Sequence, residues 1–141
     1  MKVRDVMTAQ VVTARPTDTV QQVARIMSEV DTGAVPVADN GKVVGMVTDR
    51  DIVLRVVAEG ADLDTPVSQV MSEHIHSCQE DDTVADAARQ MADLQMRRLI
   101  VYNEDKKFTG IVSLGDIAVD FGAKQVGKAL EGISEPGDEP A

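Results

Sequence analysis

Apolar and polar positions follow the same pattern twice along this chain. In each copy, a short apolar stretch and a polar turn precede a segment whose apolar residues recur at i, i+3, i+4 and i+7. This spacing is typical of an amphipathic helix with one buried face. Thr19 and Thr83 stand at the starts of the two predicted helices as N-caps. The apolar positions are Val20, Val23, Ala24 and Met27 in the first copy and Val84, Ala87, Ala88 and Met91 in the second.

Two apolar strands follow each predicted helix. In the first copy they flank Asp39-Asn40-Gly41-Lys42, and an Asn-Gly pair is a strong signal for a two-residue hairpin turn. In the second copy they flank a longer polar loop at 103–107. A hairpin is therefore expected in both copies. Its strands are predicted at 34–37 and 43–47 in the first copy and at 98–102 and 108–112 in the second.

One further strand and one further helix complete each copy. An apolar stretch before each polar turn predicts a first strand, at 11–13 and at 75–77. A second helix follows each hairpin and ends before a glycine, at 49–59 and at 114–121. The order β-α-β-β-α, occurring twice, predicts an α+β fold in which a three-stranded sheet carries helices on one face.

The two copies are also similar residue by residue. Val6-Met7-Thr8 returns as Val70-Met71-Ser72, 64 positions later, and 45–52 returns as 110–117 after one inserted residue. Units of about sixty residues bury little surface alone, which favours pairing of the two copies. The sequence predicts repeat 1 at 1–60, a linker at 61–66, repeat 2 at 67–122, and at 123–141 a short helix followed by a disordered, polar tail.

The composition limits the partners and the location of the chain. Its net charge of −10 argues against nucleic acid or an anionic membrane as a partner, because both bind cationic surfaces. Aromatic residues make up only 2% of the chain, so the core must consist of aliphatic side chains and methionine. The first residues are charged and unlike a signal peptide, and no apolar run could span a membrane. With a single cysteine, these features predict a cytoplasmic protein.

The junction between the last strand and the last helix of each copy, called the corner below, carries the most distinctive chemistry. Gly45 precedes two apolar residues, Thr48 opens the helix, and Asp51 stands one turn further. A hydroxyl at a helix start can donate to a phosphate oxygen, and a carboxylate can accept from a sugar diol. Both residue types are also ordinary helix caps, so a purely structural role stays open. The second copy repeats the arrangement with Gly110, Ser113 and Asp116.

Together these motifs resemble a known repeat. The run Gly-Met-Val-Thr-Asp-Arg-Asp-Ile at 45–52, preceded by Gly-Ala-Val-Pro-Val at 33–37 and opened by Val-Met-Thr at 6–8, is similar to the cystathionine-β-synthase-type (CBS) repeat. The resemblance covers about residues 1–121. Two such repeats form a CBS pair, or Bateman module, packed pseudo-symmetrically. The resemblance implies a regulatory or sensor module that binds adenosine nucleotides in the clefts between its repeats and catalyses no reaction.

The resemblance also implies particular ligands and partners. AMP, ADP or ATP is the expected ligand, with NAD or S-adenosylmethionine as alternatives of the same class, and no further cofactor is expected. The chain is expected to form a homodimer, a flat disc of four repeats, and to act on a downstream protein partner that the sequence does not identify. The helix with Ile52, Val53, Val56 and Val57 is more apolar than one buried face requires, which marks it as an interface.

By resemblance, the corner residues would contact phosphate and ribose, and the strands before them would contact the base. Arg50 is an expected phosphate partner in the first copy. The second copy has Leu114-Gly115 in place of Asp49-Arg50 and offers Arg97 upstream, so the first corner is expected to favour ligands with more phosphates. The expected ligand-binding residues are Thr13, Ala34, Val35, Pro36, Thr48, Arg50, Asp51, Ser77, Arg98, Leu99, Ile100, Ser113 and Asp116.

A second group of residues with metal-binding side chains lies near the start of the second copy. His74, His76 and Cys78 alternate along an extended stretch, and all three are zinc-ligand types. The first copy has Val12 in place of His76, so packing explains this histidine more simply. No metal site is therefore expected. A metal-responsive module stays an alternative, as does a dimeric interaction or scaffold protein whose clefts are vestigial.

Overall fold

The computed structural model describes residues 1–120 of the chain. The predicted end of the last helix at Phe121 and Gly122, and the predicted helix and tail at 123–141, lie outside the described residues. The chain divides into two compact units. Of the described residues, unit 1 consists of 1–10 and 76–120, and unit 2 consists of Val11–Ile75. Both units combine helices with strands, which confirms the predicted α+β class with two repeated units.

The helices and strands follow one another in the same order in both halves of the chain. In chain order they are α1 (Val3–Val6), β1 (Thr8–Ala9), α2 (Val20–Val30), β2 (Ala34–Asp39), β3 (Lys42–Thr48), α3 (Asp49–Ile52), a π-helical turn (Val53–Val57), a 3-10 helix (Val67–Gln69), β4 (Ser77–Gln79), α4 (Val84–Leu94), β5 (Arg98–Tyr102), β6 (Phe108–Ser113) and α5 (Leu114–Asp120).

The two amphipathic helices begin where their caps predict. The hydroxyl of Thr19 accepts from the N–H of Gln22 at 3.1 Å, and Thr83 caps α4 in the same way. All four predicted apolar positions of α4 are buried. In α2, by contrast, Ala24 is exposed, because this helix buries a narrower face than the spacing predicts.

The predicted hairpin turn between β2 and β3 is present. Asn40 and Gly41 adopt φ values of 53° and 78°, and Asp39 pairs with Lys42 across the turn. Positive φ at both central residues is the geometry that matches the twist of a two-stranded hairpin, and Asn-Gly adopts it at low cost.

The sheets contain more strands than the sequence predicts. In unit 1 four strands occur in the order β1-β6-β5-β4. In unit 2 the β2-β3 hairpin is extended on both sides by single bridges, from Ala14 to Val37 and from Met46 to Ser72. The expectation of three strands per unit is wrong because it missed the outer partner of β6 and β3. The first strands also lie later than predicted, with β4 at Ser77–Gln79 and the bridge at Ala14.

The additional partner comes from the start of the other repeat. Residues 1–10 begin the first repeat but complete the sheet of unit 1, which holds the rest of the second repeat. Ser72 lies at the start of the second repeat but pairs with β3 in unit 2. The predicted boundaries at 1–60 and 67–122 follow the repeated sequence, whereas the contacts divide the chain after residues 10 and 75.

The segment predicted as a linker, 61–66, is an integral part of unit 2. Its carbonyl groups accept two hydrogen bonds from the start of α2, at 2.9 Å from Val20 N–H to Thr65 and at 3.2 Å from Gln21 N–H to Leu63. The 3-10 helix that follows buries Val67 in the same unit. The segment that connects the two repeats is therefore packed on the unit that holds most of the first repeat.

Each unit has its own apolar core of aliphatic residues and methionine. The largest fully buried side chains of unit 1 come from α4, β5, α5 and the N-terminal segment. Those of unit 2 come from α2, the hairpin, the π-helical turn and the 3-10 helix. They are Met91, Leu99, Ile100, Ile117 and Val3 in unit 1, and Val20, Val23, Val35, Val37, Val47, Val56 and Val67 in unit 2. Among residues 1–120, no helix has the length and apolar character needed to cross a bilayer.

The motif glycines Gly45 and Gly110 mark the places where the outer segments approach most closely. A Cβ on Gly110 would collide with the carbonyl oxygen of Thr8. A Cβ on Gly45 would lie 2.6 Å from the sulfur of Met71 and 3.0 Å from the carbonyl oxygen of Ser72. At both glycines, the backbone of another segment makes a close approach.

We expect Gly110→Ala to destabilise the protein by about 1–3 kcal/mol, because β1 must shift to make room for the added methyl group. Denaturant unfolding of the full chain measures this loss. Gly115→Ala is the matched control, since a Cβ there meets only the hydroxyl of Ser113, at 3.6 Å, and alanine favours the helix. Equal stability of Gly110→Ala and the wild type would show that the close approach does not constrain the sheet.

Candidate functional site

The corner of unit 2 is built by a reciprocal capping box between Thr48 and Asp51. The backbone N–H of Thr48 donates to Oδ2 of Asp51 at 2.9 Å, and the N–H of Asp51 donates to Oγ1 of Thr48 at 3.2 Å. Both side chains are half-buried. Thr48 is the last residue of β3 and the N-cap of α3, so the strand and the helix together fix the position of these two polar groups.

The corner of unit 1 repeats this geometry. The N–H of Ser113 donates to Oδ2 of Asp116 at 3.0 Å, and the N–H of Asp116 donates to Oγ of Ser113 at 3.1 Å. Both side chains are again half-buried. The capping role, which the sequence left open beside a ligand role, is therefore present in both corners.

The neighbouring strand of each hairpin meets its corner at equivalent positions. Ala34 of β2 is the cross-strand partner of Thr48, and Arg98 of β5 is the cross-strand partner of Ser113. The first strands lie on the other side. Ser77 pairs in parallel with Ile100, and the N–H of Ala14, next to Thr13, donates to the carbonyl oxygen of Pro36 at 2.9 Å.

The structure therefore sorts the expected ligand-binding residues into two sets, each within one unit. Arg50, Ser77 and Arg98 are exposed, whereas Thr13 and the corner residues are half-buried. Unit 2 holds Thr13, Ala34, Val35, Pro36, Thr48, Arg50 and Asp51, and unit 1 holds Ser77, Arg98, Leu99, Ile100, Ser113 and Asp116.

The middle residues of β2 and β5 offer little side-chain surface to a ligand. Val35 and Leu99 are fully buried in the apolar cores of their units. Ala34, Pro36 and Ile100 are buried as well. Their backbone groups already take part in hydrogen bonds: the N–H of Ile100 donates to His76 at 2.9 Å, and the carbonyl oxygen of Pro36 accepts from Ala14.

Two charged residues next to the corners were not among the expected ligand-binding residues. Asp49 lies at the first helical position of α3, where its Oδ1 accepts from the N–H of Arg50 at 2.8 Å. Arg97 precedes β5, and its carbonyl oxygen accepts from the N–H of Leu114 at 3.1 Å. The sequence did indicate that this place is distinctive, because the two copies differ there: Leu114 occupies the position equivalent to Asp49.

The three residues with metal-binding side chains do not form one group. His74 belongs to unit 2, whereas His76 and Cys78 belong to unit 1. Cys78 is buried in the core of unit 1, and this burial, with a smaller contribution from Asp82, raises the pKa of its thiol to about 12. Within residues 1–120, no three His, Cys, Asp or Glu side chains are arranged to hold a metal ion.

Known proteins are similar in sequence to this chain, and the similarity covers both repeats. The family model for the CBS domain matches the chain twice, at residues 3–58 and 67–120. The CBS domain-containing protein YhcV of Bacillus subtilis (strain 168) is 44% identical over 133 residues, which is 94% of each chain. Hypoxic response protein 1 of Mycobacterium tuberculosis (strain ATCC 25618 / H37Rv) is 30% identical over 135 residues, again 94% of each chain.

Solved structures of CBS proteins share the fold. The crystal structure of Hypoxic Response Protein I with two coordinated zinc ions matches with a TM-score of 0.75 and 32% identity, over 86% of this chain and 99% of that one. The CBS domain pair of protein MJ0100, in complex with 5′-methylthioadenosine and S-adenosyl-L-methionine, matches with a TM-score of 0.75 and 25% identity. That match covers 88% of this chain and 98% of the other.

The buried thiol of Cys78 leads to a prediction about pH. The pKa of the folded state, about 12, lies above the ordinary value of 9.0, so the unfolded chain loses its proton first as the pH rises. We expect the folded state to lose stability from pH 9.0 upward, and Cys78→Val to lose less over the same range. Denaturant unfolding at a series of pH values measures both. Parallel pH dependence in the two proteins would contradict the prediction.

Proposed function

This chain belongs to the CBS domain family, and we propose that it is a regulatory, non-catalytic module that binds an adenosine nucleotide at its two corners. The match of the family model to both repeats confirms the resemblance seen in the sequence. AMP, ADP and ATP are the proposed ligands, and NAD and S-adenosylmethionine share the same adenosine moiety. The downstream partner of such a module is a protein whose affinity changes when the ligand binds.

The duplicated capping box is the observation that carries this proposal. The Thr48 hydroxyl uses an oxygen lone pair to cap α3, which leaves its O–H proton to donate to a phosphate oxygen. Asp51 uses Oδ2 for the cap, and a carboxylate has a second oxygen that can accept from a ribose hydroxyl. Unit 1 offers the same two groups in Ser113 and Asp116, so one chain has two places for a nucleotide.

The comparisons support an adenosine ligand. The MJ0100 domain pair was crystallised with 5′-methylthioadenosine and S-adenosyl-L-methionine, which have an adenosine-derived part in common. The net charge of −10 opposes any anionic ligand at long range. Local donors at the corners must therefore supply the attraction for phosphate, and hydroxyl and guanidinium groups are suited to this.

We further propose that the chain forms a homodimer through the helical segment that follows the corner of unit 2. The expectation that Val56 lies at this interface is wrong, because Val56 is fully buried in the core of unit 2. Val53 and Val57 are exposed by 54% and 69%, and Leu54 is exposed beside them. Burial of these side chains against a second copy would remove apolar surface from water.

The nucleotide proposal predicts that two equivalent N-cap substitutions will have different effects. Thr48→Ala and Thr19→Ala each remove a helix cap of unit 2 and should each cost about 1 kcal/mol of stability. Only Thr48→Ala removes a donor from the corner, so only this variant should weaken nucleotide binding, by about tenfold. Thermal shift and calorimetry with AMP, ADP, ATP, NAD and S-adenosylmethionine measure these effects.

Wild-type protein supplies the reference for this comparison. A ligand present at 100 times its Kd should stabilise the fold by about 2.7 kcal/mol. If no member of the panel stabilises the wild type, the alternative of an interaction or scaffold protein with vestigial sites replaces the proposal. If Thr19→Ala weakens binding as much as Thr48→Ala does, the hydroxyl of Thr48 has no direct role in binding.

The dimer proposal predicts a mass of twice the 15.1 kDa chain in light scattering at micromolar concentration. Val57→Glu should shift the protein toward the monomer, because it places a charge in the apolar surface. Val12→Glu is a matched control, since Val12 is an exposed valine outside this helical segment. A monomer in the wild-type protein would contradict the proposal.

A further inference from the structure

The two corners carry different charges at structurally equivalent positions. The equivalence follows from one shared hydrogen bond, in which the first residue of the helix donates its N–H to the residue before the neighbouring strand. Asp49 donates to Gly33 at 2.9 Å in unit 2, and Leu114 donates to Arg97 at 3.1 Å in unit 1. A carboxylate in unit 2 therefore corresponds to an aliphatic side chain in unit 1, and a glycine corresponds to a guanidinium.

The next position along the strand increases the difference. Ala34 is the cross-strand partner of Thr48, whereas Arg98 is the cross-strand partner of Ser113. Directly opposed residues of antiparallel strands point to the same face, with Cβ atoms about 4.5–5.5 Å apart. The exposed side chain of Arg98 therefore begins beside Ser113 in unit 1, where unit 2 has only the methyl group of Ala34.

The structure holds the carboxylate of Asp49 at the corner of unit 2. Its Oδ1 accepts from the N–H of Arg50 at 2.8 Å, and its Oδ2 lies only 3.0 Å from the position of a Cβ on Gly33. Asp51 lies two residues further along α3, so Arg50 has a carboxylate on each side of it in the sequence of this corner.

The corner of unit 1 has the opposite balance. Asp116 supplies the carboxylate of its capping box. Arg97 and Arg98 are exposed and meet this corner through Leu114 and Ser113. This charge balance argues for the opposite preference to the one expected from Arg50 alone, because that expectation gave no weight to Asp49 and Asp51.

We propose that the two corners select adenosine ligands by their phosphate charge. The corner of unit 1 takes the di- or triphosphate, and the corner of unit 2 takes an adenosine ligand with one phosphate or none. This inference rests on the proposed function and adds to it which ligand each corner prefers. Its physical basis is distance. Fixed charges a few ångströms from a phosphate are too close to it for salt to screen their interaction fully.

Calorimetry of the full chain with adenosine and with ATP tests this selection in single-corner variants. Asp51→Ala leaves the corner of unit 1 intact, and Asp116→Ala leaves that of unit 2 intact. We expect Asp51→Ala to bind ATP at least about tenfold more tightly than adenosine, and Asp116→Ala to bind adenosine as tightly as ATP or more tightly. The preference of Asp51→Ala for ATP should shrink as salt is added.

Charge variants that keep both capping boxes test the same point without loss of a cap. Arg97→Gln with Arg98→Gln should weaken ATP binding at the corner of unit 1 by about tenfold and weaken adenosine binding there much less, because adenosine has no phosphate. Arg89→Gln is the control for Arg98→Gln, because it makes the same change on α4, where Arg89 pairs with Asp86.

A second charge variant tests the corner of unit 2. Asp49→Asn should strengthen ATP binding there by about fivefold, because it removes one of the two carboxylates that flank Arg50. Asp62→Asn is its control, since it removes a carboxylate from an exposed position of the same unit.

The outcomes separate this inference from the function on which it rests. Adenosine binding with the same ATP-to-adenosine ratio at both corners would overturn the charge selection and leave the proposed function standing. A stronger ATP preference at the corner of unit 2 than at that of unit 1 would overturn the selection in the same way. No heat with either ligand in the wild-type protein would overturn both.

Discussion

The fold of both units depends on one kind of backbone pairing, in which the last strand of one repeat pairs with the first segment of the other repeat. Thr8 pairs with Ile111 in unit 1, and Met46 and Ser72 exchange two hydrogen bonds of 2.9 and 2.8 Å in unit 2. Without these partners, β3 and β6 would be edge strands with unpaired N–H and C=O groups. Neither repeat can complete its sheet alone, and the glycine in each of these strands lets the partner approach.

The same strands lead into the corners, so the pairing also fixes the candidate site. β3 ends at Thr48 and β6 ends at Ser113, and each of these residues caps the helix that follows. The groups proposed to bind a nucleotide are therefore the groups that start the helix. Stability and affinity share the same hydrogen bonds, and an alanine substitution at a corner changes both. Only a comparison with an equivalent cap elsewhere, or a substitution that spares the cap, separates them.

Charge acts at two scales in this protein. The whole chain is strongly acidic, but this field is screened within about 8 Å at physiological ionic strength. The choice of ligand therefore rests with a few side chains beside each capping hydroxyl. The two copies keep the hydroxyl and carboxylate proposed to bind a ligand but differ in the charge around them, at Gly33 and Asp49 and their counterparts Arg97 and Leu114.

The sequence by itself determined the local structure, since apolar spacing, Thr caps and the Asn-Gly turn act between residues close in the chain. It also showed the repeat and the family, because the corner motif occurs twice in the same place. Only the tertiary structure decided which segments complete each sheet, because pairing of Thr8 with Ile111 joins residues about a hundred positions apart. It likewise decided that Cys78 is buried, that Val35 and Leu99 face the cores, and that Arg98 stands beside Ser113. These outcomes depend on register and packing, which no local pattern of residues encodes.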